Sequence, residues 1–250
     1  MTPHELVTLP GKPESDITGI VLAMGIEAGA LLDRMQQTRT TQGNGFKYHR
    51  GLLCGNNYVL VESGIGYEKA LAATDNLASV FFPGRIISAG FAGALDPQMG
   101  RNAIYWPSQI LHGNQSMKIP GASHPQTLVT AGHVVDTVEK KRQLREATGA
   151  DLVDMESFAV AEYCREKRIS FQSLRVVLDL ADEELPREIN RITSPQSQGY
   201  ARKFGLIAGA IFKRPSCVFD LYQLKERALV AADRLAMELE DYALEHPLIL

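Results

Sequence analysis

At 250 residues and 27.5 kDa, with 45% apolar residues, the chain is long enough to bury one large α/β core or two small ones; a single domain over 1–250 is expected, with 1–15 flexible. A formal charge of −3 and a pI near 6.1 provide no basic footprint, so nucleic acid is not expected as a partner. Met1–Ser15 lacks a charged segment followed by an apolar run, and no apolar stretch reaches the roughly 20 residues that span a bilayer, so the expected location is the cytoplasm, without a membrane span.

In chain order, Ile17–Met24 is an apolar run of strand length, and Ile26–Met35 has Leu31, Leu32 and Met35 at helical spacing. Phe46–Leu53 and Tyr58–Glu62 flank the turn signal Gly55-Asn56-Asn57 and predict a hairpin, followed by Ser63-Gly64-Ile65-Gly66. Tyr67–Phe82 reads as a helix rich in Ala, and Gly84–Ala89 as a buried strand ending in Gly90-Phe91-Ala92-Gly93-Ala94. Further strands are predicted at Ala103–Leu111, Thr127–Thr130, Leu152–Met155 and Phe171–Leu178, with helices from Thr137 and over Glu156–Glu166. Two helical segments close the chain, Gly199–Lys213 and Val218–Glu245, the second amphipathic. This alternation predicts a three-layer α/β/α sandwich around a mostly parallel or mixed sheet.

Chemistry concentrates where strands end. Glycines follow the strands at Gly64, Gly66, Gly90 and Gly93, and ligands of open α/β sheets bind in the crevice outside the carboxyl ends of strands, where glycine lets the backbone approach them. Neither segment completes a GxGxxG fingerprint or supplies a Walker lysine, which disfavours dinucleotides and nucleoside triphosphates. Glu27 stands at the first strand-to-helix junction, where it reads either as a helix N-terminal charge or as an acid whose pKa burial raises toward a general-base range. Asp154 and Glu156 carry an apolar run into a helix, and Asp179 and Asp182 end another; one sheet places Glu27, Glu156 and Asp179 side by side. The six histidines form no HxH or HExxH pattern, and no GxSxG elbow is present, so neither a metal site nor a serine nucleophile is supported. His124 and His133 are expected in loops or at the surface, and Cys54, Cys164 and Cys217 as core thiols.

Taken together, Ala23-Met24-Gly25-Ile26-Glu27, Ser63-Gly64-Ile65-Gly66, Ala89-Gly90-Phe91-Ala92-Gly93-Ala94-Leu95, Val153-Asp154-Met155-Glu156 and Arg175-Val176-Val177-Leu178-Asp179-Leu180-Ala181-Asp182 resemble, in order, the nucleoside phosphorylase superfamily in its 5′-methylthioadenosine/S-adenosylhomocysteine nucleosidase branch. The resemblance spans about residues 17 to 182. It implies hydrolysis of an N-ribosidic bond without metal or organic cofactor, on a small nucleoside substrate. By motif position Asp179 protonates the purine at N7, Glu27 orients and deprotonates the attacking water, Glu156 accepts from the ribose hydroxyls, and Met155 packs on the sugar. Ser63, Gly64, Gly90, Phe91 and Ala92 complete the implied substrate-binding set.

The sequence departs from that pattern in four places. Gly-Phe-Ala-Gly-Ala stands for Gly-Ser-Ala-Gly-Gly, Asp154 for the first Glu of Glu-Met-Glu, Leu178 for the serine before the acid, and Val134-Val135 where an adenine-stacking Phe is usual. Asp182-Glu183-Glu184-Leu185-Pro186, Lys213-Arg214-Pro215 and the final helix resemble the hopanoid-associated subgroup, which removes adenine from adenosylhopane; that implies an apolar channel for the 5′ group. A phosphate-dependent phosphorylase and a non-catalytic nucleoside-binding protein are the alternatives, and a homodimer is the expected assembly.

Overall fold

A computed structural model describes residues 16–186 and 217–247. Strand β1 (Ile17–Leu22) is buried along its whole length, as a strand covered by helices on both faces must be. It runs parallel to β4 (Asn56–Glu62) on one side and β5 (Arg85–Ala94) on the other. The predicted hairpin is present, β3 (Phe46–Leu53) turning antiparallel into β4. An unforeseen strand, β2 (Gln36–Gly43), pairs with β3 at the sheet edge. Its sequence, Gln-Gln-Thr-Arg-Thr-Thr-Gln-Gly, is almost wholly exposed; backbone pairing alone makes it a strand, so no hydrophobic alternation announces it.

The predicted strand over Ala103–Leu111 is instead two. β6 (Ile104–Tyr105) pairs with β11 (Ser170–Asp179), whereas β7 (Pro107–His112) pairs with β9 (His124–Thr130) and with a second unforeseen strand, β8 (Gln115–Lys118). The chain changes partner at the buried Trp106. The short β10 (Leu152–Asp154) lies between β9 and β5, completing a mixed sheet.

Two layers of helices cover this sheet. On one face α1 (Gly25–Leu32) and α5 (Cys217–Glu245) pack Ala28, Leu31, Ala231, Leu235 and Leu239 against Ile20, Leu22, Leu60, Ile87 and Val176. On the other, α2 (Tyr67–Phe81) and α4 (Ser157–Lys167) pack Ala70, Ala73, Leu77, Ala159 and Val160 against Val21, Val59, Val61 and Ile86. A further helix, α3 (Val138–Thr148), begins at Thr137, whose side chain accepts the Lys140 N–H and caps it. Among the described residues of α5, buried Ala228, Leu235 and Leu239 follow the predicted amphipathic stripe. The expected helix over Gly199–Lys213 lies outside the described residues.

Two smaller expectations need correction. Cys54 is exposed at the β3–β4 turn, because a turn residue with φ of 50° projects away from the sheet, whereas Cys164 is a core thiol as expected. His124 is half-buried in β9, where its ring nitrogen meets the Trp106 N–H at 3.1 Å, while His133 is exposed.

The placement of the site follows from how β5 shares its edges. β11 runs beside it from Arg85 to Gly93, but on the opposite edge β1 pairs only with Arg85–Ser88 and β10 only with Gly93–Ala94. Between them β5 is open, and there the strand ends of β1, β10 and β11 converge.

Candidate active site

A cavity of about 370 Å³ occupies this gap, lined by Glu27, Glu156 and Asp179, with Asp154 at its wall and the Asp154 carboxylate turned into the core. They arrive from three strand ends, Glu27 after β1, Asp154 and Glu156 at the end of β10 and Asp179 at the end of β11, which is why acids distant in sequence meet.

Glu27 lies in the first turn of α1 and is buried. Its Oε2 accepts the Met24 N–H at 2.8 Å and its Oε1 accepts the Phe91 N–H at 3.0 Å, an amide on the open stretch of β5. Both readings made from the sequence therefore apply: the carboxylate caps its own helix and faces the cavity. Burial raises its pKa to about 6, against the opposing pull of those two amides and of the Arg175 charge. Gly90 makes the contact possible, since a Cβ there would lie 2.7 Å from Glu27 Oε1. Gly93 does the same for the other acid, because a Cβ would lie 3.1 Å from Asp179 Oδ2.

Asp154, Met155 and Glu156 form the turn from β10 into α4. Asp154 is buried and paired with buried Arg175 of β11, at 3.0 Å from Nε and 2.7 Å from Nη2. Its oxygens also accept the Ser157 N–H at 2.9 Å and the Thr130 hydroxyl at 2.7 Å. Arg175 donates in addition to Ser88 O, Ser88 Oγ and Ser157 Oγ. With Asp154 so anchored, Glu156 projects to α2: its Oε1 accepts the Gly66 N–H at 2.7 Å and its Oε2 the Met155 N–H at 3.2 Å. A carboxylate has about four acceptor sites, so each oxygen keeps one for a ligand hydroxyl. Burial first, and then the negative charge of Asp154, push the Glu156 pKa well above the usual carboxylate range.

Asp179 closes β11 and is buried at the other side of the cavity. Its pKa is raised, chiefly by burial, against the pull of Lys141, whose Nζ lies 2.5 Å from Oδ2. Ser63 is buried and donates to Leu22 O or Gly64 O, fixing the strand end rather than reaching into the main cavity. Phe91, Ala92 and Met155 line that cavity, as do Val134 and Val135; Ile65 lines it where Gly64 does not. Behind them a second pocket, of about 10 Å³, is bounded by Glu27, Ser63, Ser88, Gly90, Glu156 and Arg175. Its lining is mixed polar and apolar, and it has room for about one water molecule.

Arg175 and Lys141 were not singled out from the sequence. For Arg175 a signal existed: a charged residue inside Ser-Leu-Arg-Val-Val-Leu must find a carboxylate once the strand is buried. Lys141 sits in the polar run Glu-Lys-Lys-Arg and carries no such signal.

The chain is similar to known proteins in family, sequence and fold. The family model described as the phosphorylase superfamily matches residues 17–130 and 122–206. The 5′-methylthioadenosine/S-adenosylhomocysteine nucleosidase of Pseudoalteromonas translucida is 27% identical over 203 residues, covering 68% of this chain and 86% of its own. The enzyme of the same description from Bacillus cereus is 24% identical over 199 residues, covering 66% and 86%. Among solved structures, the Helicobacter pylori nucleosidase superposes with a TM-score of 0.72 at 16% identity, covering 93% of this chain and 99% of that one. The Neisseria meningitidis nucleosidase gives 0.66 at 19%, covering 90% and 99%.

Two outcomes test the architecture of the site. Arg175→Met leaves the buried Asp154 carboxylate without its counter-charge and is expected to lower stability by about 3–5 kcal/mol, read from urea unfolding. Gly90→Ala forces the Glu27 carboxylate from its two amides; activity is expected to fall while the far-ultraviolet circular dichroism spectrum stays that of the native protein.

Proposed function

The chain belongs to the phosphorylase superfamily, and from that premise we propose that it is an N-ribosyl hydrolase releasing adenine from a 5′-substituted adenosine. The observation that carries this reading is the arrangement of two buried acids on one cavity, Glu27 with a pKa of about 6 and Asp179 with a raised pKa beside a cation. Cleavage of an N-ribosidic bond needs a proton delivered to the leaving base and a proton removed from the nucleophile, and two carboxyls in different surroundings divide those tasks.

In this mechanism Asp179 protonates the purine at N7, so the C1′–N9 electron pair leaves on a neutral base as the ribose gains oxocarbenium character. Glu156 holds the ribose hydroxyls with the acceptor sites its two amides leave open, and Met155 packs against the sugar. Glu27 takes the proton of a water that adds to C1′. Phe91 and Ala92 present the open stretch of β5 to the substrate, while Ser63, Gly64 and Gly90 shape the strand ends behind it.

Water is favoured over phosphate on physical grounds. Of the two pockets that Glu27 and Glu156 both line, the smaller measures about 10 Å³, room for about one water. The cationic side chain that lines it, Arg175, is already paired with Asp154, which leaves little positive charge to hold an anion. Lys225 is the one Lys or Arg among the described residues lining the main cavity.

The outer wall of the cavity is apolar, formed by Ile26, Val134, Val135, Leu185, Leu224 and Ala228. An apolar 5′ group, methylthio or a larger hydrocarbon of the adenosylhopane type, gains contact there. The zwitterionic end of homocysteine gives up hydration for few partners.

The experiment is chromatographic detection of adenine from methylthioadenosine, S-adenosylhomocysteine, inosine and an adenosyl-linked apolar lipid, with and without phosphate. Release independent of phosphate is expected, fastest with an apolar 5′ group; release only with phosphate and formation of ribose 1-phosphate makes the protein a phosphorylase, and tight binding without product makes it a binding protein. Glu27→Gln and Asp179→Asn should each remove turnover, by roughly 10²-fold or more. Because Glu27 acts as its carboxylate, kcat/KM should fall as pH drops through about 6, and a rate unchanged well below that pH would exclude Glu27 as the base.

A further inference from the structure

Lys141 is among the largest fully buried side chains of the protein, on the inner face of α3. Its ammonium donates to Leu180 O at 2.5 Å and Glu183 O at 2.9 Å and forms an ion pair with Asp179 Oδ2 at 2.5 Å. Asp179 lines the cavity and Lys141 does not, so the cation sits behind the acid, on the side away from a ligand. A buried ion pair contributes little net stability compared with an apolar pair of similar volume. An invested cation at this position therefore calls for a chemical reason.

We propose that Lys141 is a positioning residue for the leaving-group acid, fixing Asp179 Oδ2 and neutralising the carboxylate that remains when the other oxygen gives up its proton. The inference rests on the reading of Asp179 as that acid. With Oδ2 held by the ammonium, Oδ1 is left to carry the transferable proton. In the step, the Oδ1–H bond breaks and its electron pair stays on Asp179, while the proton forms a bond to purine N7. The C1′–N9 pair leaves with the base, water oxygen bonds to C1′, and the water proton passes to Glu27. Asp179 ends as a buried anion, and Lys141 is the charge built in to receive it. The same ammonium holds Leu180 and Glu183, so it also sets the course of the chain as it leaves the acid.

Other charges face the pair. Glu183 opposes ionisation of Asp179, and Arg101, which pairs with Glu183 and donates to Leu178 O at 2.7 Å, favours it. Arg227 of α5 approaches Glu183 at 3.6 Å, and Glu27, Glu156 and Lys225 line the same cavity. Among the described residues, Lys141 is the cation in direct contact with the acid.

The test follows adenine release from methylthioadenosine across pH for the wild type, Lys141→Met, Lys141→Arg and Asp179→Asn, with parallel assays on the matching riboside bearing 4-nitrophenolate, a leaving group that needs no proton. Lys141→Met removes the charge that favours the carboxylate, so Asp179 keeps its proton to higher pH: the alkaline limb of kcat/KM moves upward. The plateau for adenine release falls by about a hundredfold, within the roughly 10²–10⁴-fold that general acids supply. The nitrophenyl substrate, where it turns over, is spared. Lys141→Arg keeps the charge and the position of the limb. An alkaline limb in Lys141→Met that stays where the wild type has it overturns the role of Lys141, as does an equal loss on both substrates. Should Lys141→Met fail to fold, a limb displaced upward in Lys141→Arg overturns it instead. Failure of the underlying reading looks different: no adenine from the wild type, or full activity in Asp179→Asn.

Discussion

The ion pair between Asp154 and Arg175 is the contact on which the site depends. Arg175 lies in the middle of a buried strand and Asp154 at the end of a short one, and neither charge can be removed from water without the other. Their hydrogen bonds reach Ser88 on β5, Thr130 on β9 and Ser157 at the start of α4, so with β10 and β11 one polar knot ties five elements. The turn that presents Met155 and Glu156 inherits its position from that knot. Burial first and then the Asp154 charge raise the Glu156 pKa, while Arg175 opposes them, so the pair that holds the turn acts on its neighbour in both directions.

The second constraint is the shared edge of β5. A strand paired along both edges exposes no backbone to a ligand, whereas β5 is left open between β1 and β10. The amide of Phe91 then needs an acceptor, and Glu27 provides it. That bond brings a carboxylate into the crevice, and burial raises its pKa toward the range of a general base. Gly90 and Gly93 permit the approach of two different acids to the same strand. Structural satisfaction and chemical preparation are here one interaction.

The order and type of the main elements were legible from the chain because the buried strands are continuous apolar runs and the covering helices have one apolar face. Where that signal was absent, the reading failed in instructive ways. β2 and β8 are edge strands made almost wholly by backbone pairing, and their side chains are mostly exposed. The apparent single strand over Ala103–Leu111 is divided because its two halves pair with different neighbours, a fact about the sheet rather than about local propensity. Cys54 looked like a core thiol by residue type but stands in a turn.

The acids themselves were visible in the sequence: Glu27, Asp154, Glu156 and Asp179 each interrupt the end of an apolar run, where a charge must have a purpose. Their motifs and order carried the resemblance to the superfamily before any geometry was known. Composition and spacing thus determined the fold class and the candidate acids, and the resemblance implied the class of reaction. Only the tertiary structure decided which cation each acid meets and which acids face the cavity. Asp154 is consumed by Arg175, and Asp179 is backed by Lys141 from a helix 38 residues earlier in the chain (179 − 141). The physical reason is that a carboxylate's protonation state is set by burial and by charges within a few ångströms, and those neighbours come from strand ends and helices that only folding brings together.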